Sequence, residues 1–197
     1  MNTTAAIEDQ FFVTESTTHN HGEGGEHSHK GLATYTELDP SLAIAQAEAI
    51  AAAIIARDLA PAAEVDAQLT ALRADLEALD AETAAKLEGL AGVSIIATHP
   101  RYQYLARRYV LSISSLEWEA GAMPTDTQMG DLRSLLNETD AQVLIWEAMP
   151  PAGAFELTIE LGLQNIVFSP LAREVEGRTY IDIFTEVISA ISQTDVQ

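Results

Sequence analysis

The sequence predicts an α/β fold, with a four-stranded, mostly parallel sheet, flanking helices, and one long helix before the sheet. Two patterns lead to this expectation. Beyond residue 90, short apolar runs alternate with segments of helical periodicity, and repeated strand–helix–strand units imply parallel strands. Before residue 90, an Ala- and Leu-rich segment has apolar residues at helical spacing. With 197 residues, 47% of them hydrophobic, the chain is long enough to bury a core.

The N-terminal segment is predicted to be mostly loop. Its first 38 residues are polar and rich in Thr, Gly, His and Glu. The short apolar run Phe-Phe-Val at residues 11–13 is a candidate strand. The pattern changes at Asp39 and Pro40, because Asp is a favourable N-cap and Pro suits the first helical turn. We therefore predict a helix from this point to about Arg57.

A second, longer helix is predicted over residues 61–88, and we interpret it as a structural spine. Pro61 opens it, and Val65, Leu69 and Leu72 begin a repeat of apolar residues at alternating spacings of four and three. These patterns divide the chain into three parts. They are an N-terminal segment (1–38), a helical segment with the long linker helix (39–90), and an α/β lobe (91–197).

The α/β lobe is predicted from four short apolar runs separated by helical segments. The candidate strands are residues 93–97, 110–116, Val143–Trp146 and 166–168, and the candidate helices are residues 101–108, 126–137, 154–161 and 180–191. This alternation is typical of a doubly wound α/β domain.

The first candidates for a binding site are the residues that follow the strands, because ligands of open parallel sheets bind beyond the carboxyl ends of the strands. These residues are His99, Glu117, Glu119, Glu147 and Ser169. An imidazole with several carboxylates suits a divalent cation, since both groups bind zinc and carboxylates also bind manganese. The same groups also suit a general acid and base.

Each candidate also has a structural explanation. His99 precedes Pro100, so capping the helix that Pro100 opens is as good an explanation as metal binding. For Glu117, Glu119 and Glu147, position alone favours a solvated or helix-capping role.

A histidine-rich segment is the second candidate for metal contact. Four of the five histidines lie within eleven residues, joined by a Gly-rich stretch. They are His19, His21, His27 and His29. We expect weak binding of zinc, copper or nickel, because ordering a Gly-rich chelator costs conformational entropy. The alternative is a polar loop without a metal function.

Composition excludes several functions. Thirty acidic against ten basic side chains give a net charge of -20, which repels phosphate, so no nucleic acid is expected as a partner. The absence of cysteine excludes thiolate metal sites and disulfides. The chain as written shows neither a signal peptide nor a long apolar run, so we expect no direct membrane insertion. None of the common nucleotide-binding, zinc-protease or hydrolase motifs occurs.

Several motifs resemble one protein family. Residues 98–109, Thr-His-Pro-Arg-Tyr-Gln-Tyr-Leu-Ala-Arg-Arg-Tyr, resemble a segment in which a metal-ligating histidine opens a helix with an aromatic–Ala–Arg–Tyr pattern. Upstream, the His-rich loop is followed by Leu-Asp-Pro and an Ala-rich helix. Downstream come Glu-Trp-Glu (117–119), Trp-Glu (146–147) and Phe-Ser-Pro-Leu (168–171). Over almost its whole length the chain resembles the periplasmic zinc- or manganese-type substrate-binding proteins of ABC transporters.

This resemblance implies two α/β lobes joined by a rigid helix, with a metal held between them by two or three histidines and a carboxylate. It also implies delivery of the ion to a membrane permease and a periplasmic or extracytoplasmic location. Residues 1–38 would be the remnant of an N-terminal lobe that is largely missing here. His99 carries over as a ligand, whereas Tyr35 and Ser169 stand where the family commonly has a histidine and an aspartate.

Three hypotheses follow. The first is a truncated metal-binding component of an ABC uptake system, not an enzyme, that binds Zn²⁺ or alternatively Mn²⁺ through His99, helped by Glu147 and Glu119, with the His-rich segment gathering ions. The second is a metal-independent α/β hydrolase that uses His99 with Glu117 or Glu147. The third is an inert remnant or interaction module whose apolar faces drive self-association.

Overall fold

The computed structural model describes residues 2–14, 18–20, 26–28, 31–170 and 176–193. The N-terminal segment holds a 3₁₀ helix, Ala5–Gln10, and two short antiparallel strand pairs. Strand β1 (Val13–Thr14) pairs with β4 (Gly31–Leu32), and β2 (Thr18–Asn20) pairs with β3 (Glu26–Ser28).

The predicted strand at residues 11–13 is wrong except at Val13, where β1 begins. The residue before it, Phe12, packs against a later helix instead of pairing in a strand. The ring of Phe12 makes an edge-on contact with Tyr104, at 5.2 Å between centroids. Ile7, Ala33 and Tyr104 belong to one buried cluster with the first long helix. The N-terminal segment thus packs on later elements, and the division of the chain at residues 38 and 90 stays a prediction.

The two predicted helices before the sheet are present nearly at their predicted limits. Helix α1 (Pro40–Ala56) begins at its N-cap Asp39, whose carboxylate accepts a hydrogen bond from the amide of Ser41 at 3.0 Å. Helix α2 (Ala62–Leu87) has 26 residues, so it extends about 39 Å at the rise of an α-helix. This confirms the long helix before the sheet.

An open apolar groove of about 600 Å³ lies between α1 and α2. Its walls include Ile50 and Ile54 of α1 and Leu69 and Leu72 of α2. A helix that is apolar on nearly all sides, as α1 is, is normally covered on all sides, yet Ile50 is exposed. The self-association hypothesis depends on this surface. No helix in the described ranges is both long enough and apolar enough to cross a membrane.

The α/β lobe contains a four-stranded parallel sheet in the order β6-β5-β7-β8. Its strands are β5 (Ser94–Ala97), β6 (Ser112–Ser115), β7 (Val143–Trp146) and β8 (Gln164–Val167). Its helices are α3 (Gln103–Tyr109), α4 (Asp126–Thr139), α5 (Ala152–Ile159) and α6 (Tyr180–Ser192). The predicted fold class is confirmed.

Both faces of the sheet are covered, because successive strand residues point to opposite sides. In β5, Ile95 and Ala97 join a core with residues of α2, α3 and α6, whereas Ile96 joins a core with residues of α4 and α5. The residues of β7 alternate in the same way. A strand buried on both faces reads as a continuous apolar run, and this made β7 predictable to the residue.

The predicted limits of the second and fourth strands of the sheet are wrong at their ends. Strand β6 begins at Ser112 because Val110, with a φ of 54°, ends helix α3 in the left-handed conformation. Strand β8 begins two residues earlier than predicted, at the polar pair Gln164 and Asn165. This edge strand is polar at its start and therefore does not stand out as an apolar run.

Candidate metal-binding site

The order of the strands creates a crevice between β5 and β7. The chain passes from β5 to β6 on one side and continues with β7 and β8 on the other. Helix α3, after β5, packs in the first core, and α5, after β7, packs in the second, so the two connections leave the sheet toward opposite faces. Such a reversal is the usual ligand position in open α/β sheets. His99 follows β5, and Glu147 follows β7.

Thr98 holds three of the strand-end loops together. Its amide donates to the carbonyl oxygen of Ile145 at 2.8 Å, and its carbonyl oxygen accepts from the amide of Trp118 at 2.8 Å. Its hydroxyl oxygen accepts from the amide of Glu147 at 3.2 Å. The residue is buried, with 3% of its surface exposed. The positions after β5, β6 and β7 are consequently fixed relative to one another.

The main chain orients the imidazole of His99. Nδ1 lies 3.1 Å from the carbonyl oxygen of Trp118. Because a carbonyl oxygen only accepts, this hydrogen bond requires a proton on Nδ1, and the neutral ring then keeps its lone pair on Nε2. Backbone carbonyls commonly hold zinc-ligating histidines in this way. The side chain is 25% exposed, so solvent still reaches part of it.

The helix-capping explanation for His99 is wrong, because α3 begins at Gln103 with Tyr102 as its N-cap. The acid–base explanation also loses support. Oε2 of Glu117 lies 3.8 Å from Nδ1 of His99, which is too long for a hydrogen bond.

Glu147 forms an ion pair across the crevice. Its Oε1 lies 3.0 Å from Nε of Arg101, and only 13% of its side chain is exposed. Arg101 belongs to the loop after β5, two residues beyond His99. Its guanidinium also lies over the ring of Tyr35, at 4.9 Å from the centroid. The loops after β5 and β7 are thus joined by a charged pair that an aromatic ring covers.

Tyr102 connects the loop after β5 to the chain just beyond β8. Its hydroxyl donates to the carbonyl oxygen of Phe168, and the ring is buried. Burial raises the pKa of Tyr102 well above its usual range, and the negative charge of Glu147 raises it further. The hydroxyl therefore stays protonated and acts as a permanent donor.

The remaining predicted site residues are exposed, take part in a short strand pair, or lie outside the described residues. Glu119, after β6, and Ser169, after β8, are exposed. His19 and His27 are Cα partners in the antiparallel pair of β2 and β3. His21 and His29 lie outside the described residues. Within the described ranges, no three His, Asp or Glu side chains come together as a metal site.

This chemistry fits an exchangeable divalent cation. His99 offers one oriented nitrogen donor, and the neighbouring carboxylates offer oxygen donors, both of which zinc accepts. A structural zinc site would have four protein ligands, whereas the described residues provide a partial ligand set with a partly exposed imidazole. An ion bound here would complete its coordination with water or with other parts of the protein.

Sequence reasoning missed two residues of the site, Thr98 and Arg101. Thr98 resembles any polar residue at a strand end, and nothing in the sequence indicates that its three polar groups bind three different segments. Arg101 was assigned to the start of a helix. One signal could have indicated its role. Arg101 is a cation two residues after the strand-end His99, and carboxylates stand at the neighbouring strand ends.

Comparison with known proteins agrees with this architecture. The profile of one family, ZnuA, described as "Zinc-uptake complex component A periplasmic", matches residues 2–194. No curated protein sequence matches the chain.

Solved structures share the fold. A metal-dependent lipoprotein of Bacillus subtilis, YcdH, is similar with a TM-score of 0.77 and 20% identity, over 97% of this chain and 68% of that protein. A structure of ZnuA is similar with a TM-score of 0.75 and 23% identity, over 99% and 70% of the two chains. The Zn(II)-bound ZnuA-like domain of Streptococcus pneumoniae AdcA gives a TM-score of 0.74 and 22% identity, over 84% and 65%.

Proposed function

The chain belongs to the ZnuA family, the periplasmic component A of zinc-uptake complexes, and from this premise we propose that it binds zinc with His99 as the principal protein ligand. It is a metal-binding component of an ABC-type uptake system. Components of this kind bind and release an ion without chemical change. We propose the same for this chain, which would then have no catalytic activity.

The observation that carries the proposal is the hydrogen bond between His99 and the carbonyl oxygen of Trp118. It holds the proton on Nδ1, so Nε2 is the nitrogen that can bind a metal. Imidazole binds zinc more strongly than manganese, which prefers oxygen ligands. We therefore propose zinc as the preferred ion, with manganese as the weaker alternative.

We propose carboxylate oxygens and water as the remaining ligands. Glu147 follows β7 at the crevice, and Glu119 follows β6. The histidine-rich segment would gather ions separately from the crevice, through His19, His21, His27 and His29. The pairing of His19 with His27 in register supports a shared role for these two positions.

We further propose that the ion passes to a membrane permease and that the protein works in the periplasm or another extracytoplasmic space. Family membership supports both statements. The chain spans about two thirds of the length of these solved structures.

The test is calorimetric titration of zinc and manganese into the metal-free protein. Three variants accompany it: His99→Ala, His99→Asn, and a deletion of residues 19–29. Asn is the matched substitution, because its amide can still donate to the carbonyl of Trp118 while Nε2 is absent. We expect one-site zinc binding that both substitutions abolish and the deletion leaves intact.

Other results would refute this assignment. Zinc binding that survives both substitutions of His99 would exclude this residue as the principal ligand. Weak binding at several sites that disappears only with the deletion would mean that the histidine-rich segment alone handles metal.

A further inference from the structure

The crevice contains a positively charged side chain, that of Arg101. The guanidinium of Arg101 lies against Glu147, with 3.0 Å between Nε and Oε1. The side chain of Glu147 is 13% exposed, whereas that of Arg101 is 32% exposed. A carboxylate this poorly solvated requires a partner of opposite charge. Arg101 provides that partner.

Arg101 is held on a second side by an aromatic ring. Its guanidinium carbon lies 4.9 Å from the centroid of Tyr35, within the range of a cation–π contact. The amide of Arg101 also donates to the carbonyl oxygen of His99 at 2.9 Å. The ion pair and the aromatic ring together define the position of the guanidinium, and the main-chain hydrogen bond fixes the backbone that carries it.

The ion pair between Arg101 and Glu147 affects metal binding by Glu147 and by His99 to different degrees. Glu147 can bind a metal only if the ion displaces the guanidinium or tolerates a positive charge beside it. His99, held by the main-chain carbonyl of Trp118, pays no such cost because its Nδ1 hydrogen bond does not involve Arg101. The ion pair therefore weakens metal coordination by Glu147 more than metal coordination by His99.

We propose that Arg101 is a specificity-determining residue that competes with divalent cations for Glu147 and thereby disfavours manganese more than zinc. This inference rests on the proposed function of the crevice. Manganese depends on carboxylate oxygens, whereas zinc binds readily to imidazole. Because Arg101 occupies the carboxylate of Glu147, the crevice favours zinc, which depends less on carboxylate ligands than manganese does.

The test compares zinc and manganese affinities of the wild type, Arg101→Gln, and the double variant Arg101→Gln with Glu147→Gln. A neighbouring charge changes the proton affinity of a group by 1–3 pKa units, so we expect Arg101→Gln to raise manganese affinity roughly tenfold or more. Zinc affinity should rise by a smaller factor. The double variant should lose the gain for manganese.

Matched controls separate this effect from the general loss of one positive charge. Arg73 forms an exposed ion pair with Glu48 on the helices α1 and α2, and Arg73→Gln should leave both affinities unchanged. Arg101→Lys, which keeps the charge, should retain wild-type selectivity. Tyr35→Leu leaves the ion pair in place but removes its cover, so it should shift selectivity in the direction of Arg101→Gln by a smaller factor.

The results distinguish this inference from the proposed function. His99-dependent zinc binding by the wild type, with unchanged affinities in Arg101→Gln, would overturn the role of Arg101 and leave the proposed function standing. If the wild type binds no zinc but Arg101→Gln gains manganese binding through Glu147, the competition is supported and the proposed zinc function fails. Binding by neither protein would overturn both. Thermal unfolding of each variant verifies that it is folded.

Discussion

The carbonyl oxygen of Trp118 and Nδ1 of His99 lie 3.1 Å apart, so the main chain after β6 determines which nitrogen of the side chain after β5 carries the proton. The amide of Trp118 in turn donates to the carbonyl oxygen of Thr98 at 2.8 Å. The loops after two adjacent strands thereby hold the imidazole in one orientation. Preorganisation of this kind lowers the ordering cost of binding.

The first prediction concerns the tautomer of His99. In the metal-free protein at neutral pH we expect the Nδ1-protonated form, because the partner of Nδ1 is a carbonyl oxygen. Nitrogen-15 NMR of the imidazole should show a protonated Nδ1 and an unprotonated Nε2, and addition of zinc should shift the Nε2 resonance. A ring protonated on Nε2 but not on Nδ1 in the metal-free state would contradict the hydrogen bond to Trp118.

The second prediction concerns Thr98. Replacement by Val keeps the shape but removes the hydroxyl that accepts from the amide of Glu147, so we expect a loss of about 1–2 kcal/mol in the free energy of unfolding. Hydrogen exchange at the Glu147 amide should accelerate. Thr98→Ser keeps the hydroxyl and should leave that exchange rate close to wild type. Equal acceleration in both variants would show that the hydroxyl does not protect this amide.

The third prediction concerns acid stability. The hydrogen bond from Arg108 lowers the pKa of Asp80 below 3.8, burial acts in the opposite direction, and the hydroxyl of Tyr109 adds to the lowering. Between the folded pKa and 3.8 the unfolded chain binds more protons, so stability rises with pH across this window. The contribution is present at neutral pH and is lost as the pH falls through the folded pKa.

Asp80→Asn should therefore destabilise the protein at pH 7 by about 1–2 kcal/mol, and its difference from wild type should shrink in acid. Urea unfolding at a series of pH values measures this. Asp75→Asn, an exposed aspartate of the same helix, is the control and should have little effect. A difference between Asp80→Asn and wild type that does not change with pH would exclude the ionised carboxylate as its source.

The fourth prediction concerns the end of helix α3. Val110 has a φ of 54° and is 80% exposed, so a β-branched residue adopts a left-handed conformation with little packing in return. The left-handed conformation costs an ordinary residue roughly 1–2 kcal/mol. Glycine avoids this cost, and its greater entropy loss on folding cancels only part of the gain. We expect Val110→Gly to raise the melting temperature.

The matched control is Asp140→Gly at the end of helix α4, where φ is 52°. Asp tolerates the left-handed region better than Val, so its replacement should stabilise less. A lower melting temperature for Val110→Gly would mean that the side chain contributes packing which its exposure does not reveal.

Local signals accounted for much of the fold. The N-cap Asp39 with Pro40 located the start of α1, and the all-apolar run Val143–Trp146 located β7, because caps and buried strands leave direct traces in composition. The polar start of β8 left no such trace. Likewise, the resemblance around residues 98–109 led to His99, but the sequence alone left its capping role open.

The sequence by itself determined the class of fold, the long helix, and the set of chemically capable groups at the strand ends, because these depend on periodicity and on residue type. Only the tertiary structure decided the order of the strands and the partners of those groups. The ion pair of Arg101 with Glu147 joins residues 46 positions apart, and the proton on Nδ1 of His99 depends on a main-chain carbonyl from the loop after β6. Contacts of this kind arise from packing the sheet, which no local pattern specifies.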